Sequence, residues 1–123
     1  MLQLMLFVVL YTCTSYYKNI MEVLNMNKHE IYVGLNDKDT KVQVIPTEDA
    51  MLKVHALVGD CSMSLIQGYF THADGSLVIE KSIKCEVFGM EDDKIHAIVE
   101  QLKLDLNQES ILVNKYIGQV EFV

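Results

Sequence analysis

The stretch SMSLIQGYFTHADGSLVIEKSIKCEV, Ser62 to Val87, places two strand-like runs on either side of Asp74-Gly75. An Asp-Gly pair between alternating segments predicts a β-hairpin, because the turn needs positive φ and Gly takes it up without a steric penalty. Ser62–Phe70 is the first run and Ser76–Val87 the second. In the second, Leu77, Ile79, Ile83, Cys85 and Val87 fall on one face, with Lys81 the exception. Val78, Glu80, Ser82, Lys84 and Glu86 fall on the other. One apolar and one mixed face is the pattern of an antiparallel sheet covered on one side only.

Outward from the hairpin, each run is flanked by a helical pattern. On the N-terminal side, Pro46-Thr47 stops the chain, Thr47 is a good N-cap, and Glu48 and Asp49 suit the first turn. Met51, Leu52, Val54, His55 and Val58 supply an apolar face up to Gly59, with His55 read as a packed core or edge residue. On the C-terminal side, Asp92 or Asp93 caps a second helix. Its stripe is Ile95, Ile98, Val99, Leu102 and Leu106. A strand lies beyond each helix, Glu30–Leu35 first and Ile111–Val123 last. The order β-α-β-β-α-β predicts a ferredoxin-like α+β sandwich, a four-stranded antiparallel sheet with two helices on one face. Strands one and three are then central.

The chain of 123 residues is one domain in length, and half its residues are apolar. A domain this small buries only roughly 60–70% of its unfolded surface, so pairing with another copy helps it. The net charge is −7, and all ten basic residues are Lys. Nucleic-acid binding leaves a basic footprint in which Arg reads phosphate and guanine, so no nucleic acid is expected. The missing Arg also fits AT-rich coding DNA. Three cysteines make no disulfide framework. A hairpin centred on Asp74-Gly75 faces Cys61 with a position near Phe88 and Cys85 with one near Ser64, so they do not bridge. No CxxC or HExxH spacing occurs, and no metal or other cofactor is expected. Asn36-Asp37-Lys38-Asp39 reads as a solvated turn, since the Gly and closing Glu of a calcium loop are absent.

Residues 1–25 read as an apolar extension and residues 26–123 as the domain. Leu2–Leu10 is too short for a bilayer, which needs about 20 residues, so no stable membrane span is expected. No Lys or Arg precedes it as a signal peptide would require, and Leu10–Cys13 matches a lipoprotein cleavage box only loosely. Met21-Glu22-Val23-Leu24-Asn25-Met26 can be encoded with a GGAGGT ribosome-binding sequence a short distance before the Met26 codon. Translation from Met26 implies a cytoplasmic protein; a leader implies export or lipid anchoring.

From His29 to Val123 the chain resembles a bacterial family known only as domain of unknown function 3574. The resemblance rests on Glu30–Leu35, Gly68-Tyr69, Asp74–Ser82 and Asn107–Leu112. It departs in the first helix, where members often carry a longer segment with Phe and Pro. An aromatic of that family's second strand falls near Tyr69. The resemblance implies this fold, a leader in many members, and no assigned activity.

Few residues lack a structural reason. Glu80 sits mid-strand among apolar neighbours, where strands disfavour Glu. Gln67 and Tyr69 lie near it on the hairpin, Gln108 and Glu109 precede the last strand, and Tyr32, Glu80 and Tyr69 are expected to share one face. A Glu with Tyr and Gln can do acid-base work or hold a polar ligand, so Tyr32, Gln67, Tyr69, Glu80 and Gln108 are the candidate ligand-binding residues. The competing reading is an ordinary polar sheet face or an interface. No Ser-His-Asp order, phosphate loop or nucleophile elbow occurs, and no catalytic residue is assigned. The expectation is an uncharacterised binding or interaction module, homo-oligomeric through its open sheet face, with a small molecule as ligand. One specific form is a phage or prophage protein that sequesters a host small-molecule or nucleotide signal. The alternative is a small enzyme resembling dimeric α+β barrel proteins, with a Glu/Tyr site.

Overall fold

The computed structural model describes the chain from Val23 to Val123, apart from His72. The elements are β1 (Val23–Gly34), α1 (Thr47–Val58), β2 (Ser62–Thr71), β3 (Leu77–Phe88), α2 (Asp92–Asp105) and β4 (Leu112–Glu121). The sheet order is β2-β3-β1-β4, with β1 and β3 central. This is the expected antiparallel α+β sandwich of ferredoxin-like type. The chain divides into two compact units. Asn27–Tyr116 holds the core; the described residues of the other are Val23–Met26 and Ile117–Val123. The apolar segment Leu2–Leu10 and the loose cleavage box at Cys13 lie outside the described residues. β1 begins at Val23, earlier than the Glu30 expected. Among the described residues no helix is long and apolar enough to cross a membrane.

The core lies between the helices and one face of the central strands. Ile31 and Val33 of β1, Ile83 and Cys85 of β3, Val54 of α1 and Leu102 of α2 are all fully buried. The α2 stripe is as expected: Ile95, Ile98, Val99, Leu102 and Leu106 are buried. The α1 face is different. Ala50, Val54 and Val58 recur at i, i+4 and i+8 and are buried, whereas Leu52 is 67% exposed and His55 faces solvent. Residues 52 and 55 point well away from that stripe at 100° per residue, so apolar content alone misplaced the face. The caps also differ. Pro46 is the N-cap of α1, and Thr47 Oγ1 instead accepts from Gln43 Nε2 at 3.0 Å. Glu91 is the N-cap of α2, leaving Asp92 in its first turn.

The hairpin forms where expected, with a register one residue away. Thr71 pairs with Leu77, so the loop between them has an odd number of residues centred on Asp74. Gly75 takes φ 86°, and Asp74 Oδ1 accepts from Ser76 N and Oγ at 2.9 and 2.6 Å. Cys85 therefore faces Met63, Gly68 faces Glu80, and Tyr69 faces Ile79. Cys61 and Cys85 are both free thiols. Burial, and then Cys61 as neighbour, pushes the Cys85 thiol up to about 12.

Candidate functional site

Alternation along β3 sends Glu80 to the face without helices. It stands beside glycine on both flanking strands. Gly68 of β2 is directly opposite, and a Cβ on Gly34 of β1 would lie 2.5 Å from Glu80 Oε1. Bare backbone at Gly34 gives the carboxylate room to lie along the sheet, and the Phe70 ring lies over Gly68. Its Oε2 accepts from Asn36 N at 3.1 Å, just past the end of β1.

Two loops close around this point. The first follows β1. Asp37 Oδ2 accepts from Asp39 N and Thr40 N, both at 2.9 Å, and Lys41 takes φ 66°. The second links α2 to β4. Asn107 takes φ 48°, and its Nδ2 donates to Asp37 Oδ1 at 2.7 Å and Asp39 Oδ2 at 2.9 Å. Lys38 N donates to Asn107 O at 3.0 Å. Gln108, 8% exposed, donates from Nε2 to Asn36 O at 2.8 Å and Leu106 O at 3.2 Å. Asn36 thus gives its N–H to Glu80 and its carbonyl to Gln108. Asn107 first, and then the Thr40 amide, hold the Asp37 carboxyl below its ordinary value.

Between these parts lies a cleft of about 300 Å³. Its charged and polar lining includes Lys38, Lys41, Glu80, Gln108 and Glu109, and its apolar wall is Phe70 and Val78. That volume is at the lower end for small-molecule sites, which run about 300–1,000 Å³. Phe70 is 56% exposed, so a ring face is open to a ligand.

The cleft unites two of the five candidates, Glu80 and Gln108. Tyr32 is on the same face as Glu80 but stands in a different group. Its OH donates to Glu30 Oε1 at 3.5 Å. Tyr69 and Gln67 lie on the opposite face, correcting the expectation that Tyr69 joins Tyr32 and Glu80. The one-residue shift in register is the reason, since side chains alternate faces. Gln67 Nε2 donates to Tyr69 OH at 3.3 Å, and both are exposed. Sequence reasoning missed Asn36, Asp37 and Lys38, which read as a solvated turn, and Lys41, which it did not single out. The strand glycines were the available signal for side chains needing space, Gly34 for Glu80 and Gly68 for Phe70.

The Tyr32 group is a four-charge ring on the middle of the open face. Glu30 and Glu86 are direct partners across β1 and β3, and like charges so placed repel. Lys28 and Lys84 resolve this. Lys28 Nζ lies 3.4 Å from Glu30 and 3.3 Å from Glu86; Lys84 Nζ lies 3.1 and 3.3 Å from them. The lysines also sit over aromatic rings, Lys28 at 5.7 Å from Tyr116 and Lys84 at 5.9 Å from Tyr32. Lys84 above all lowers the Glu30 pKa, and Glu30 and Glu86 raise that of Lys84. At the sheet's other face His29, 2% exposed, bonds through Nε2 to Asp92 Oδ1 at 2.9 Å. Lys115 meets Asp92 Oδ2 at 2.7 Å. The four-charge ring is closed by its own partners, whereas in the His29 pair the buried Nδ1 has no hydrogen-bond partner. Among the described residues no group of His, Cys, Asp and Glu is placed to hold a metal ion.

No family model matches the chain, and no curated protein matches it. Solved structures do. A phage SAM lyase in complex with S-methyl-5'-thioadenosine is similar at a TM-score of 0.58 and 24% identity, over 79% of this chain and 90% of that one. A phage SAM lyase in the apo state gives 0.57 and 22%, over 80% and 90%. A Bacillus cereus protein related to NIF3 gives 0.52 and 12%, over 80% of this chain but 28% of that one. These likenesses show the fold of the chain.

Proposed function

We propose that this protein binds S-adenosylmethionine in the Glu80 cleft and releases S-methyl-5'-thioadenosine from it. The observation that carries the reading is the Glu80 carboxylate, set between two glycines in a cleft that also holds Glu109 and Asp37, in a chain without Arg. That composition suits a cationic ligand without phosphates. S-adenosylmethionine is such a ligand: it bears a sulfonium and an ammonium against one carboxylate. The phage SAM lyase complex supplies the ligand class. Phe70 supplies a flat apolar face for a purine.

The chemistry asks little of the protein. The substrate's own α-carboxylate attacks its γ-carbon, the new carbon–oxygen bond closing a lactone as the bond from sulfur to the aminobutyryl chain breaks, and sulfur keeps the electron pair as a neutral thioether. Such a leaving group needs no proton. Positioning and fixed charge therefore suffice, and no nucleophilic side chain is required. The protein works as a homo-oligomer through its open sheet face, where Ile66, Phe70, Phe88 and Tyr116 stay exposed.

A second reading is favoured by one observation. Glu80 is already engaged by Asn36 N, and among the described residues no His or Cys lines the cleft as a base or nucleophile. Binding without turnover, as in a phage protein that sequesters a host signal, fits that arrangement. Incubation with S-adenosylmethionine, followed by mass spectrometry of the small molecules, tests both. Release of S-methyl-5'-thioadenosine by the natural chain and not by Glu80→Gln supports the lyase. Intact ligand retained by the protein supports sequestration, and no binding at all sinks both.

A further inference from the structure

The cleft holds two kinds of unpaired charge. Glu80 meets only a backbone N–H, and Glu109 is exposed on the lining. Lys38 and Lys41 line the same space, and among the described residues neither makes an ion pair. Elsewhere in the fold lysines close onto carboxylates, as Lys28 and Lys84 do on Glu30 and Glu86. Lys41 is also held in the left-handed region at φ 66°, by Lys41 N donating to Asp37 O at 2.8 Å. The loop that carries both lysines is tied to Gln108 and Asn107 from the far side. Carboxylates and ammonium groups thus stand around one small cleft, on elements fixed to each other, without neutralising each other.

We infer that Lys38 and Lys41 hold the α-carboxylate of the ligand while Glu80 and Glu109 hold its α-ammonium, so that the cleft selects ligands with a free amino-acid end. The inference rests on the adenosyl-ligand reading above and names the part of that ligand the cleft recognises. The cleft's volume fits this, since about 300 Å³ encloses part of an adenosyl compound rather than all of it. Charge pairing to both groups on the α-carbon anchors that end of the aminobutyryl chain and helps to orient the sulfur–carbon bond at the other.

Calorimetric titration of the full chain and of the double variant Lys38→Gln, Lys41→Gln tests it. Gln keeps the side-chain length and leaves the backbone at position 41 as able to take positive φ as Lys does. The probes are S-adenosylhomocysteine, which has the amino-acid end, and S-methyl-5'-thioadenosine, which lacks it. The natural chain is expected to prefer S-adenosylhomocysteine by at least about tenfold, the equivalent of one ion pair's worth of about 1.4 kcal/mol. The double variant is expected to lose most of that ratio with its S-methyl-5'-thioadenosine affinity within about twofold. A variant that binds both probes and keeps the ratio overturns the role of the lysines and leaves the adenosyl reading standing. Equal affinity of the natural chain for both probes overturns amino-acid selection in the same way. A natural chain that binds neither overturns the adenosyl reading and this inference with it.

Discussion

Asn107 and Asp37 are 70 positions apart in the sequence and 2.7 Å apart in the fold. Asn107 takes its left-handed φ of 48° at the end of α2 and points its amide back across the loop that follows β1. This side chain, with the Lys38 N to Asn107 O and Gln108 Nε2 to Asn36 O bonds, ties together the two loops that line the cleft.

Asn107→Gly keeps the positive φ and removes the clamp. Hydrogen bonds to carboxylates contribute about 1.5–3 kcal/mol, less where exposed, so the melting temperature should fall by several degrees. Ligand affinity should fall as well, because the 36–41 loop loses its side-chain tie to the α2–β4 loop and is held only by the Lys38 N to Asn107 O and Gln108 to Asn36 bonds. Thermal melts with and without S-adenosylhomocysteine measure both, and an unchanged ligand-induced shift would count against the clamp.

Gly34→Ala should leave the fold intact and damage the cleft. The new Cβ meets the far end of the Glu80 side chain, 2.5 Å from Oε1. A flexible carboxylate gives way more easily than backbone, so Glu80 swings aside. Circular dichroism should be unchanged while binding drops about tenfold or more, a change of about 1.4 kcal/mol.

Acid should destabilise the protein through identifiable carboxyls. Glu30 is held below its ordinary 4.5 chiefly by Lys84, and Asp92 below 3.8 chiefly by Lys115 and then His29. Depressed folded-state values mean that the unfolded chain takes up protons first. The stabilisation is complete above the unfolded values and is lost as pH falls through the folded ones. Urea denaturation should therefore show a loss that begins just below pH 4.5. Glu30→Gln should flatten the upper part of that acid limb, and an identical limb in the variant would contradict it.

Ile83→Ala probes the core independently of the cleft. Ile83 is fully buried between β1 and β2, pairing with Val33 and Leu65. Truncation should cost about 2–5 kcal/mol, read as a lower denaturation midpoint with an unchanged slope.

The element order, the α2 stripe and the hairpin were legible in residues 62–106, because 3.6 and 2.0 periodicities are local properties of the chain. Glu80 stood out for the same reason, as a charge where strand preference disfavours it, and Gln108 stood out only by its place before the last strand. The face of Tyr69 was not legible, since a single residue in the turn reverses every side chain beyond it. The lysines at 38 and 41 were no more visible, because nothing within a solvated turn distinguishes it from one pinned to a distant loop. Local pattern determined which elements form and how they are ordered. Only the tertiary structure decided which loops meet, because hydrogen bonds such as Asn107 to Asp37 and Gln108 to Asn36 join residues whose proximity exists only once the sheet and helices have packed.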